Sequence, residues 1–473
     1  MLFNSIEFLL FFPAVTILFY LLPHRFRWML LLVASCFFYM WFIPKYIFIL
    51  LITIAIDYSA GLLIEKWAGT PIRKRTCLIV SIVSTCLVLF IFKYLNFCSA
   101  NLVALAQHFG WSHPDKVLSI ALPIGLSFHT FQSLSYVIEV YRGHQRAERH
   151  FGYYSLYVMF YPQLVTGPIE RPQNLLRQLH EEKTLQYDNI VRGLRLILFG
   201  LFLKMVVADN LGVYVDRIYA HPELYGRGDI LLGFLFYSFQ IYGDFFGYST
   251  IALGCALTMG FTITDNFRTP YLADSIREFW HRWHISLSTW FRDYLYIPLG
   301  GSRVSVSRWV LNTLIVFTVC GIWHGANWTF MIWGAAYGLL LVLERGLRAV
   351  HLFDRIRGRI GRAIVRLFNI AKTFVVVTLL WTIFRAPSFG DMRHLFSSLL
   401  YNSGGTEHLQ VGAVAWVGLA LFVLFDLLTR HSRFDVWCGH RPAVIRWAIY
   451  AALLFALIVL SSVQNYPFIY FQF

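Results

Sequence analysis

Stretches of about 20 mostly apolar residues, enough for a helix to cross a bilayer, recur from one end of this chain to the other. The clearest cover residues 5–22, 28–43, 46–64, 77–95, 190–208, 229–260, 309–330, 364–384, 411–429 and 444–463. Shorter or more polar ones lie near 119–141, 151–168 and 331–344. The expected fold class is an all-α polytopic membrane protein with about 11–12 transmembrane helices plus re-entrant or interfacial ones. No internal repeat or low-complexity linker divides the chain, so residues 1–473 read as one integral-membrane domain with its core motifs at 119–345.

The composition points the same way. Of the 473 residues, 58% are hydrophobic and only 14% charged, with a mean hydropathy of +0.59. A soluble domain carries roughly a quarter charged residues, so there is too little polar surface here for three water-facing globules. Disorder, collagen-like repeats and secreted disulfide scaffolds are excluded. The net charge of +15 does not indicate nucleic acid; it comes from basic clusters between spans. These are Arg25 and Arg27, Arg73–Arg75, Arg142–Arg149 and the arginine-rich stretch Arg345–Arg362. By the positive-inside rule they mark cytoplasmic loops. Glu7 stands where a signal peptide would be basic, so the first stretch reads as a retained helix with its N-terminus outside. The seven cysteines are scattered and form no CxxC pair, which indicates neither a disulfide framework nor a thiolate metal site.

Polar residues at membrane depth are costly and point to function by default. Residues 122–143 carry His129, Gln132, Ser133, Ser135 and Glu139 along a helix opened by Pro123 and Gly125. Two readings fit: a cavity-lining helix, or hydrogen bonds between packed helices. Residues 160–172, FYPQLVTGPIERP, break a helix at depth and look architectural. Residues 277–301 interleave Arg277, Glu278, His281, Arg282, His284, Arg292 and Asp293 with Trp280, Trp283 and Trp290. That pattern suits an element at the interface or in a protein-enclosed cavity, with His281 and His284 sharing a helix face. Residues 319–334 place His324 deep in an apolar run, between Gly321 and Gly325 and close to Asn327. Glycines so spaced let another backbone approach closely. A neutral imidazole there suits a general base, whereas the bland reading is a histidine hydrogen-bonded between helices.

Two rival chemistries are weaker. His281, His284 and His324 could supply three nitrogens to a metal, but there is no HExxH and no carboxylate triad, so none is expected. A serine nucleophile lacks a G-x-S-x-G elbow, and Ser286 and Ser288 have no obvious acidic partner.

RWHISLSTWFRDYLYIPLGG (282–301) together with GIWHGANW (321–328) closely resembles the signature of membrane-bound O-acyltransferases, in particular the bacterial alginate O-acetylase branch. LPIGLSF (122–128), FYPQLVTGPIERP, YGDFFGYSTIALG (242–254) and NFRTPY (266–271) resemble further family blocks in the same order. The resemblance implies helices around a central funnel or tunnel, where a cytosolic acyl donor meets an acceptor from the far side. It maps the family's catalytic histidine onto His324 and its second histidine onto His284. His281 stands where related sequences often carry arginine, and no role is transferred to it.

The function expected on this basis is O-acetylation of an exported polysaccharide such as alginate or cellulose, from the bacterial inner membrane. His324 is the expected base and His284 a positioning or polarising group, with Asn327, Arg292 and Asp293 as supporting candidates. No cofactor is expected to stay bound; acetyl-coenzyme A or another acyl thioester would be the donor substrate. Expected partners are membrane lipids, the polysaccharide acceptor and a periplasmic acetyltransferase, with no nucleic acid. Peptidoglycan or another envelope glycan is an alternative acceptor. A glycolipid or acyl-carrier flippase is the alternative of another class, since broken helices and buried polar residues suit it too.

Overall fold

The structure is a computed structural model that describes residues 1–111, 123–165, 167–349, 358–402, 404–462 and 466–469. Arg355 and Arg357 of the basic stretch, Leu122 of the polar segment and the last residues 470–473 lie outside the described residues. Among the described residues, six helices can cross a membrane by length and composition: Pro44–Lys66, Pro71–Lys93, Arg227–Thr258, Val306–His324, Trp328–Leu347 and Ile360–Arg385. Shorter apolar helices cover Ile6–Leu21, Ala413–Leu428 and Ala443–Val459. The remaining expected crossings are helices that are more polar, shorter or interrupted. The chain is an all-α polytopic membrane protein.

The helices group into two compact units. The first comprises Met1–Leu194 and Ala252–Thr264. Here Ile47–Lys66, Pro71–Lys93 and Leu126–Arg142 pack against one another, and the last buries the polar stripe read from sequence. His129, Gln132, Ser133, Ser135 and Glu139 are all buried in it. The helix starts at Gly125, whose φ of +78° favours glycine. A Cβ there would also sit 2.6 Å from the Leu164 carbonyl oxygen. The break at Phe160–Pro162 is repaired by side chains, as buried backbone requires. Tyr161 N–H turns to Ser35 Oγ at 3.0 Å. The Tyr157 carbonyl then accepts from the amides of Gln132, at 2.5 Å, and Gln163, at 2.9 Å.

The second unit comprises Arg195–Ile251 and Asp265–Phe473. The stretch read as a span at 190–208 contains a π-helical turn, Phe202–Ala208. Such turns gather residues five apart and recur at functional sites. This one points Lys204 at Asp209, 2.8 Å away, and at Asp244, 2.7 Å away, with all three side chains almost fully buried. In the same unit, helices Val306–His324 and Trp328–Ala349 form a close hairpin. A Cβ on Gly321 would fall 2.2 Å from the Phe330 carbonyl oxygen, and one on Gly334 would fall 2.2 Å from that of Phe317. The backbones therefore touch where the glycine spacing predicted a close approach.

Candidate active site

Helix Val306–His324 is capped at its start by the Ser305 hydroxyl, which accepts from Arg308 N–H at 3.4 Å. It ends on His324, after which Gly325 is extended. The next helix begins with Asn327 as its cap: Oδ1 accepts from Thr329 N–H at 3.1 Å, and the amide donates to the Pro387 carbonyl. Asn327 thus shapes the turn that presents His324. The oxyanion role expected for it competes with those two bonds.

The His324 side chain is enclosed by aromatic faces. Its ring centroid lies 4.9 Å from Trp323, 5.1 Å from Trp333 and 5.3 Å from Phe384. Trp333 stacks on Trp381 at 5.8 Å and meets Trp280 edge-on at 5.8 Å. Charged and polar atoms are sparse in this shell, so an ionic interaction formed within it is weakly screened.

His284 does not continue the helix of His281. Helix Ile276–Arg282 stops, His284 adopts the left-handed conformation (φ +44°, ψ +55°), and a new helix, Ile285–Phe291, follows. The shared helix face expected for His281 and His284 is therefore replaced by a kink. Asn266 holds it: its carbonyl accepts from Ile285 N–H at 3.0 Å and its Oδ1 from Ser286 N–H at 3.1 Å. Non-glycine residues held at positive φ cost energy and cluster at functional sites. The kink turns His284 inward to full burial while His281 stays exposed. Burial alone holds the His284 imidazole well below the usual histidine range, so it is neutral. Its ring meets Phe245 at 4.7 Å and Trp323 at 6.3 Å. Trp323 thus touches both histidines. Phe245 also meets Phe468, at 5.7 Å, whose position is fixed by a 2.6 Å bond from Ile469 N–H to Asp244.

A cavity of about 630 Å³ opens beside this cluster. Its lining carries Arg277, His281, Arg292 and Arg345 together with Glu344, and apolar side chains that include Trp280 and Cys320. Arg292, which lines the cavity, also pairs with Asp293 at 2.7 Å. Cys320 precedes His324 by one helical turn, which brings the lining to the foot of the histidine cluster. Burial, then the guanidinium groups of Arg277 and Arg292, hold the His281 imidazole below its usual range. Among the described residues no group of three or more histidine, cysteine or carboxylate side chains could hold a metal ion.

The arrangement missed by sequence reading is the aromatic shell: Phe245, Trp333, Trp381, Phe384 and Phe468. Aromatic residues are common throughout this chain, at 18%, so nothing local distinguished these. Lys204 carried a signal that was passed over, a lone cation in an apolar run with an aspartate five residues on.

The sequence model of the membrane-bound O-acyltransferase family matches residues 88–382. The chain belongs to this family. It is similar to the probable alginate O-acetylase AlgI of Azotobacter vinelandii, with 38% identity over 84% of this chain and 78% of the relative. A protein of the same name in Pseudomonas aeruginosa is 38% identical over 90% and 82%. The peptidoglycan O-acetyltransferase of Helicobacter pylori is 33% identical over 76% and 71%. This member is thus a multi-pass membrane O-acyltransferase, and the flippase reading gives way to an enzyme.

Proposed function

We propose that this enzyme moves an acetyl group from a cytosolic thioester, such as acetyl-coenzyme A, toward hydroxyls of an exported envelope polysaccharide of the alginate or cellulose kind. The observation that carries the reading is the placement of His324: buried in an aromatic shell, one indole from His284 and one helical turn beyond Cys320, which lines a cavity rich in arginine. His324 takes the proton of the acceptor hydroxyl as its oxygen attacks the thioester carbonyl. The carbon–sulfur bond then breaks, and the departing thiolate recovers the proton from the imidazolium. His284, neutral and fixed by the kink, positions the acyl carbonyl. The lining arginines Arg277, Arg292 and Arg345 attract an anionic donor.

By the positive-inside rule the cavity's arginine-rich side faces the cytoplasm of a bacterial inner membrane. Delivery to polymer is assigned to a periplasmic acetyltransferase partner. The name of the Helicobacter pylori relative favours peptidoglycan as a second acceptor class. The test is proteoliposomes loaded with radiolabelled acetyl thioester inside, and candidate glycans outside with or without a periplasmic extract that supplies the partner. Label appearing on the glycan with wild type, and not with His324→Ala, supports the reading. Equal labelling by the variant removes His324 from the chemistry. Polymer fully acetylated by this chain alone removes the partner.

A further inference from the structure

Helix Ile47–Lys66 carries an aspartate near its midpoint, in the first unit and remote in sequence from the histidine motifs. Asp57 is fully buried. No cation of the described residues pairs with it; its neighbours are hydroxyls. Ser81 Oγ donates to Oδ1 at 2.6 Å, and Thr85 Oγ1 reaches Oδ1 at 3.0 Å and Oδ2 at 3.2 Å. Both come from the middle of helix Pro71–Lys93. Ser133 of helix Leu126–Arg142 and Tyr154 of helix Phe151–Met159 stand beside the same carboxylate. The oxygens of these last two are buried and form no hydrogen bond of normal geometry.

An uncompensated carboxylate at membrane depth is expensive, and such groups find a counter-charge. Here one negative charge is surrounded by oxygen ligands from adjoining helices, with the nitrogen and sulfur donors that suit transition metals missing from the set. The other titratable neighbours, Cys86 and Tyr154, carry a thiol and a phenol, neither of which can supply a positive charge. A proton would neutralise Asp57 but leave the Ser133 and Tyr154 oxygens unused. A divalent ion would leave the site with an excess positive charge. We propose that Asp57, Ser81, Thr85 and Ser133, with Tyr154 at the rim, bind a sodium-sized monovalent cation that ties helices Ile47–Lys66, Pro71–Lys93 and Leu126–Arg142 together. The carboxylate supplies the charge and two oxygens, and the hydroxyls turn their lone pairs inward to complete the shell. The site is independent of the acyl-transfer chemistry.

The experiment is thermal unfolding of the full chain in detergent, in sodium, potassium or N-methylglucamine chloride at equal ionic strength. Binding to the folded state alone raises the melting temperature with the logarithm of ion concentration, by about 2 °C for each tenfold increase above the Kd. Wild type should show this rise in sodium and a smaller one in potassium. Asp57→Asn should abolish it. Thr85→Val, which keeps the side-chain shape, should move the rise to higher sodium, so the result does not hinge on one variant folding. Identical melting of wild type in sodium and N-methylglucamine overturns the proposal. So does a sodium response that survives Asp57→Asn. Melting that follows pH and ignores sodium assigns a proton to Asp57 and overturns it as well.

Discussion

The indole of Trp333 stands edge-on to the imidazole of His324, with centroids 5.1 Å apart and planes at 87°. The indole is itself held by Trp280, Tyr337 and Trp381, so the histidine leans on a supported wall rather than on a single ring. An imidazole whose angle is fixed this way holds its nitrogens in one orientation, as the proposed role of a base requires. Orientation of that kind supplies a large share of a catalyst's rate.

Loss of the proposed base should be severe. His324→Ala or His324→Gln is expected to lower acetyl transfer by about 10²–10⁴-fold, the range of a positioned general base. Immunoblots of membranes should show unchanged protein, which separates lost chemistry from lost folding.

Trp333→Ala removes the wall without touching the imidazole. Transfer should fall by up to about 10²-fold through kcat, as for a reacting group displaced by about an ångström. The KM for the thioester should stay within about twofold, and Trp333→Phe should restore part of the rate. A variant with raised KM and normal kcat would place Trp333 in donor binding instead.

His284→Asn probes the kink. Asparagine tolerates the left-handed conformation better than most residues, so the fold should survive while the imidazole is lost. Normal membrane abundance with at least about tenfold slower transfer is the expected pair of results. His284→Val, stiff at the same dihedrals, should also lose abundance.

Phe468→Ala opens a gap beside Phe245, which contacts His284. Buried phenylalanine truncations typically cost about 3–5 kcal/mol. The variant should melt several degrees lower and turn over more slowly, measured together on one preparation.

His281 gives a pH signature. Its imidazole is held below the ordinary histidine range by burial and by Arg277 and Arg292, so it is neutral at pH 7 and gains charge only as pH falls below about 6.5. An anionic thioester should therefore show a flat KM from pH 8 to pH 7 and a lower KM below that. His281→Asn should remove the acid-side improvement, and Arg277→Gln should shift it to higher pH.

The spans were legible because lipid leaves the backbone few choices: charge-poor runs such as 46–64 and 77–95 had to be helices. His324 was legible for the same reason, as an ionisable side chain in a stretch otherwise free of charge. The kink at His284 was not. Its conformation is held by Asn266, some 20 residues earlier, whose carbonyl and side-chain oxygens accept from the Ile285 and Ser286 N–H groups, and a bond of that kind leaves no pattern in sequence. Lys204 was hidden by a π turn that shifts the helical register locally, bringing residues five apart into contact where ordinary helical spacing leads one to look three or four away.

The close backbone approach at Gly321 and Gly334 limits how the active site can move. Two helices whose main chains already touch have no slack in which to slide or splay, so the hairpin bearing His324 travels as one rigid part. Room for an incoming sugar must then come from rotation of surrounding rings or from neighbouring helices, and enlarging either glycine would jam the scaffold while leaving every reactive group in the sequence.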